Sequence, residues 1–190
     1  MEQLIEMIII TLKDAVASHS IVIGLGIGMS TIILESIIPI LPLGLFIATN
    51  MILFGNIVGF FISWIATIIG CSISFFLFRK GFHHVHYKGN LAAIAKRMDK
   101  ISFSTLVVLM SFPFSPAFLF NIAAGCSKLS YPKYLVALIL SKSIIVYFWG
   151  FIGTTLVDSM TTPSVLWKLL GLIFGAFLLS KIAIRNFKLE

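Results

Sequence analysis

"ESIIPILP", residues 35–42, sets one carboxylate four positions ahead of a Pro-x-x-Pro inside the most apolar part of the chain. No other charged residue lies between Ile21 and Phe78. Pro39 and Pro42 each remove a backbone donor and disfavour helix in the residue before them. The chain is therefore expected to break where a straight membrane helix would be in mid-bilayer. Broken backbone at that depth is tolerated only when it is buried in protein or lines a wet cavity. A charged group there costs roughly 2.5–3.5 kcal/mol on insertion scales, so Glu35 reads as functional. Its bland reading is a position near the outer interface, where the first span ends.

Outward from that stretch, the composition sets the class. Of 190 residues, 59% are hydrophobic and 11% charged, with a mean hydropathy of +1.08, whereas soluble domains carry about 25% charged residues. This is the composition of an all-α integral membrane protein with one polytopic domain. The apolar blocks 21–78, 101–127, 134–157 and 164–180 hold several stretches of the roughly 20 residues a span requires. Residues 1–19 read as an interfacial amphipathic helix, with Leu4, Ile5, Ile8, Leu12 and Ala15 opposite Gln3, Glu6, Lys13 and Asp14. Acids at Glu2 and Glu6 argue against a cleaved signal. Cys71 and Cys126 lie in apolar surroundings and read as free core residues.

A second break, "FPFSP" at residues 112–116, is centred in the apolar run 101–127. Both breaks lead to an asparagine and then a glycine: Asn50 and Gly55 after the first, Asn121 and Gly125 after the second. Paired interrupted segments in two halves point to a transporter's binding site. Positive charge tests the number of crossings. The linker 79–100, with Arg79, Lys80, Lys88, Lys96, Arg97 and Lys100 against Asp99, belongs on the cytoplasmic side. If 101–127 enters and returns on that side, Lys128 and Lys133 stay inside. Residues 134–157 then cross outward, 158–163 lies outside, and 164–180 returns with Lys181, Arg185 and Lys188 inside. Only Lys142 and Lys168 remain within spans. By the same logic the first break is a re-entrant hairpin from the outer face, about 35–50. It follows a span ending near Leu34 and precedes one from about Ile52 to Phe78. The expectation is about four transmembrane helices plus two opposed re-entrant hairpins in an inverted repeat. Gly24/Gly28, Gly55/Gly59 and Gly171/Gly175 have the spacing that lets such helices pack closely.

Other motifs are weaker. "GLGIG" at 24–28 lacks a correctly placed third glycine and reads as helix packing. His83, His84 and His86 lack a carboxylate or cysteine partner, and no metal is expected. "LSKSI" sets Lys142 between Ser141 and Ser143, but adjacent residues point to different faces of a helix, which argues against serine–lysine hydrolysis. Lys142 either snorkels or faces a cavity and attracts an anion such as a phosphate.

Glu35, Pro39 and Pro42, "FFLFRKG" at 75–81, "FPFSP" with "NIAAG" at 121–125, and Ser141–Lys142 together resemble the DedA superfamily, also called the VTT-domain or SNARE-associated Golgi protein family. The resemblance covers about residues 20–160, leaving 161–190 as a carboxyl-terminal transmembrane helix and basic tail. It implies two facing re-entrant hairpins and movement of lipids between leaflets. Carried over, Glu35 falls on the first-hairpin acid and Arg79 on the basic residue before the glycine closing the next helix. Pro113, Pro116, Asn121 and Gly125 fall on the second-hairpin motif. Where many bacterial members place a second acid after the first proline pair, this chain reads Leu43, Gly44, Leu45. Where many place an arginine beside the second motif, it reads Met110 and Ala117. The proline pair and the Asn–Gly spacing look closer to the branch named for a yeast Golgi protein.

The reading at this level is a translocase, flippase or scramblase, of the bacterial plasma membrane. Its partners would be phospholipid or polyprenyl phosphate headgroups, with no nucleic acid, no cofactor, no catalytic residue and room for a homo-oligomer. Glu35, Asn50, Ser115, Asn121 and Lys142 are the candidate lining, with Arg79 gathering anionic lipid at the cytoplasmic face. The competing class is a membrane assembly or quality-control factor that moves no lipid.

Overall fold

The computed structural model describes residues 21–38, 43–81, 90–114, 117–159 and 163–189. The expected amphipathic helix 1–19, Pro39, Pro42, Ser115, Pro116 and the three histidines lie outside them. Every element is helical, with no strand among the described residues: α1 (Ile21–Ile37), α2 (Leu43–Phe54), α3 (Asn56–Gly81), α4 (Asn90–Lys100), α5 (Phe103–Ser111), α6 (Ala117–Cys126), α7 (Tyr131–Ser159) and α8 (Pro163–Leu189).

Two of these, α3 and residues 131–155 of α7, are long and apolar enough to cross a membrane. With 26 and 29 residues they reach about 39 and 43 Å at 1.5 Å per residue, more than the roughly 30 Å of hydrocarbon. α1, α2 and residues 170–182 of α8 are shorter apolar helices. Along α3, Ile57, Phe61, Ile65, Ile69, Ile73 and Leu77 recur every fourth residue and are all exposed. That is a face made for hydrocarbon. The opposite face, with Gly59, Ser63, Thr67, Gly70, Cys71 and Ser74, is buried.

Two shorter helices precede each of the two long ones: α1 and α2 before α3, and α5 and α6 before α7. α1 and α2 stop and start on either side of Pro39 and Pro42, and α5 and α6 do so around Pro113 and Pro116. Phe112 caps α5 in an extended conformation, as a residue before proline should. Ser102 caps its start, accepting from Thr105 N at 3.2 Å. The first arm of each break packs on the long helix of its own half, α1 on α3 and α5 on α7. Of the second arms, α6 packs across on α3, and α2 packs both across on α7 and on α3 of its own half.

Small residues make these crossings close. A methyl at Gly59 would lie 2.5 Å from Asn50 O, one at Gly125 would lie 2.7 Å from Phe75 O, and Gly150 and Gly153 sit directly against Met51 and Ala48. Three sequence expectations shift. α1 continues past Leu34, so Glu35 lies inside its last turn. The turn into the long helix is at Gly55, whose φ of 81° suits glycine; Gly55 makes a turn, and Gly59 makes the packing contact. Gly171 and Gly175 have no neighbour among the described residues where a side chain would go, so their spacing serves no packing there. The basic linker also holds a helix: α4 buries Ala95 and Met98 and exposes Lys96, Arg97 and Lys100.

Two apolar cores result. One joins Phe75, Leu106, Met110, Ala123, Tyr134 and Leu138 among others. The second is built on Ile32, Ile47, Met51, Ala66 and Val146. Met110 is a buried member of the first.

Candidate functional site

The layer between the two cores is polar. On α7, Leu138 belongs to one core and Val146 to the other, and Lys142 lies one turn from each. Its side chain is 1% exposed, so it does not snorkel. Ser141 and Ser143 donate to carbonyls of their own helix, Leu138 O at 3.4 Å and Leu140 O at 2.7 Å, so neither serine is paired with the lysine.

Glu35, half-buried in the last turn of α1, is near enough to feel the charge of Lys142. The two do not close into an ion pair. Opposite charges in a low-dielectric interior attract strongly, and leaving both outside an ion pair is costly. This pair is the charged part of the layer. Around it Ser36 accepts at its carbonyl from Ser74 Oγ at 3.0 Å, and Thr67 donates to Ser63 O at 2.6 Å. Each hydroxyl is satisfied by backbone.

The asparagines occupy separate networks. Asn50 Nδ2 donates to Gly28 O of α1 at 3.3 Å and Ser63 Oγ of α3 at 3.1 Å. Asn121 accepts from the Tyr134 hydroxyl of α7 at 2.8 Å and donates to Cys71 Sγ of α3 at 3.4 Å. Both are buried, at 2% and 1% exposure, and each ties the second arm of its break to α3. Tyr134 and Cys71 carry no charge to mark them in an apolar sequence. The only signal for them is their place on the same helical faces as small residues.

Arg79 lies elsewhere. Its guanidinium donates to Ala124 O, Gly125 O, Ser127 O and Leu129 O at 2.7–3.3 Å and rests 4.2 Å from the Phe75 ring centroid. These are the carbonyls of the end of α6 and the turn into α7, which a cation caps well. Asp99 Oδ1 accepts from Lys128 N at 2.6 Å on the same turn. Pro113 lies in the turn between α5 and α6, and Gly125 is where α6 meets α3. The structure thus brings Glu35 and Lys142 into one electrostatic environment and gives Asn50, Asn121, Gly125 and Arg79 architectural partners.

Two helices long and apolar enough to cross a membrane, packed with shorter helices around a buried lysine, are consistent with a membrane protein. The chain belongs to the VTT-domain (DedA) family: the family model of the VTT domain matches residues 39–155. It is also similar to the uncharacterized membrane protein YhjE of Bacillus subtilis (strain 168), 27% identical over 138 residues. That match covers 69% of this chain and 66% of YhjE, just under two thirds of the relative's length. No solved structure matches the chain. Glu35 falls four residues before the matched region, whereas Lys142 falls inside it.

Proposed function

We propose that this chain moves phosphate-bearing lipids, phospholipid or polyprenyl phosphate, between leaflets without covalent chemistry. The observation that carries the reading is Lys142: a lysine 1% exposed inside the helix bundle, within electrostatic reach of a carboxylate with which it forms no ion pair among the described residues. A headgroup crossing hydrocarbon bare is as costly as any desolvated charge. The layer between the cores offers it a cation and a carboxylate while the tails stay in the bilayer.

In this reading α5 and α6, of 9 and 10 residues, are the arms of one re-entrant hairpin. Each reaches about 13–15 Å, half the hydrocarbon thickness. α1 and α2 meet at the other break from the opposite face, giving an inverted repeat among about four spans. The linker 79–100, the α6–α7 turn and the carboxyl terminus face the cytoplasm. The proline pair and Asn–Gly spacing put the chain nearer the branch named for a yeast Golgi protein.

The test is purified full-length protein in vesicles carrying labelled anionic and zwitterionic lipids. The parent should accelerate flipping, and Lys142→Met should remove most of the acceleration for anionic lipid while inserting normally. A parent that changes no lipid's flip rate overturns the reading and favours a non-transporting assembly or quality-control factor.

A further inference from the structure

A cavity of about 660 Å³ runs along the outside of α3, away from the layer that holds Lys142. It falls within the roughly 300–1,000 Å³ typical of ligand clefts. Its walls are Ile69, Ile73, Phe76 and Leu77, and it ends at Lys80 and Tyr131. Three features give it a polarity. Lys80 is exposed, while its neighbour Arg79 is turned inward onto four carbonyls. No carboxylate is among the described residues lining the cavity. The wall at the charged end is fixed, because the Tyr131 hydroxyl donates to Ser72 Oγ at 3.2 Å and its ring lies 4.6 Å from that of Phe76.

Length agrees with one lipid. From Ile68 to Lys80 the helix rises about 18 Å, against roughly 15 Å for the hydrocarbon of one leaflet. A chain laid along Ile69, Ile73 and Phe76 would therefore bring its phosphate to the ammonium of Lys80. The cavity beside Met51, Phe61, Tyr147 and Phe151 is comparably apolar, but no charged residue lines it. It offers no basis for choosing a headgroup.

We infer that the α3 groove is a binding site for an anionic glycerophospholipid, held by one acyl chain against Ile69, Ile73 and Phe76 and by its phosphate at Lys80. The site is separate from the interior path and does not depend on the chain moving lipid. A lysine at a membrane surface contributes about 1 kcal/mol toward anionic lipid, so the preference over a zwitterionic lipid is about fivefold.

The experiment is an equilibrium one on the full chain in phosphatidylcholine vesicles. Phosphatidylglycerol and phosphatidylcholine probes, each with a photoreactive group at the acyl end, are compared at trace level by mass spectrometry of the peptides covering residues 68–77. The phosphatidylglycerol probe should label them about fivefold more. Lys80→Gln should bring it to the phosphatidylcholine level, and Ile73→Trp, which fills the groove, should lower its labelling with Lys80 still present. Equal labelling by the two probes in the parent, which needs no variant to fold, overturns the site. So does a preference that survives Lys80→Gln, or labelling undiminished by Ile73→Trp.

Discussion

Asn121 and Lys142 are both buried polar residues, and they should behave in opposite ways when removed. Asn121 has partners on two other helices, so Asn121→Leu leaves the Tyr134 hydroxyl without its acceptor. Polar contacts inside membrane bundles are worth about 0.6–1.7 kcal/mol. Thermal unfolding in detergent should show a loss of about that size, with any surviving folded protein still moving lipid. Lys142→Met should keep or raise thermal stability, because it removes a buried charge that forms no ion pair among the described residues. Glu35→Gln preserves shape and removes charge. It should lower lipid movement at least about tenfold, roughly 1.4 kcal/mol in the barrier, with Glu35→Asp retaining part. Flip rates equal to the parent's for Glu35→Gln would return Glu35 to an interfacial role. Both charges are legible in the sequence, because an ionised group in an apolar run stands out against everything around it. Ser63, Thr67 and Tyr134 are not, since an uncharged hydroxyl does not stand out in an apolar run and only packing decides which face is buried.

The prolines mark both breaks in the sequence, and α2, α5 and α6 start or stop beside them. Exact bounds escape such reading: α1 runs on through Glu35, and α4 lies hidden in a linker whose basic residues read as loop. Arg79 is the clearest case of a residue whose type is legible and whose task is not. A cation next to a membrane helix suggests anionic lipid, and only the fold shows four carbonyls waiting for it. Arg79→Met should release the turn between α6 and α7. Hydrogen exchange across residues 124–130 should then quicken and the thermal midpoint fall, whereas Lys80→Gln should change neither. If exchange there is unchanged in Arg79→Met, the four bonds are not what holds the turn. Gly125→Leu should fail to fold, since its first side-chain carbon already meets Phe75 O at 2.7 Å.

For the whole molecule, the proposed topology has residues 79–100 and 128–133 on one side of the membrane and 158–163 on the other. Tyr131 and Ser159 end a single helix of 29 residues, about 43 Å long; spanning a roughly 30 Å core, such a helix has its ends at opposite faces. Cysteines placed at Ser130 and Ser159, in protein carrying Cys71→Ser and Cys126→Ser, should react with an impermeant reagent from opposite faces. Reaction of both from one face removes the second hairpin from the proposed topology.

The crossed packing of the two halves also has a meaning in time. Ala48 and Met51 of α2 seat against Gly153 and Gly150 of α7, which the ribosome makes about a hundred residues later, or roughly 5–20 s at ordinary synthesis rates. Throughout that interval the newly inserted amino-terminal half has α2 seated on α3 but its α7-facing side uncovered, and the same membrane chaperones and proteases that survey orphaned subunits can engage it. Slowing synthesis between residues 54 and 150 should therefore lower the yield of intact protein in a pulse-chase, and slowing it after residue 160 should leave the yield unchanged.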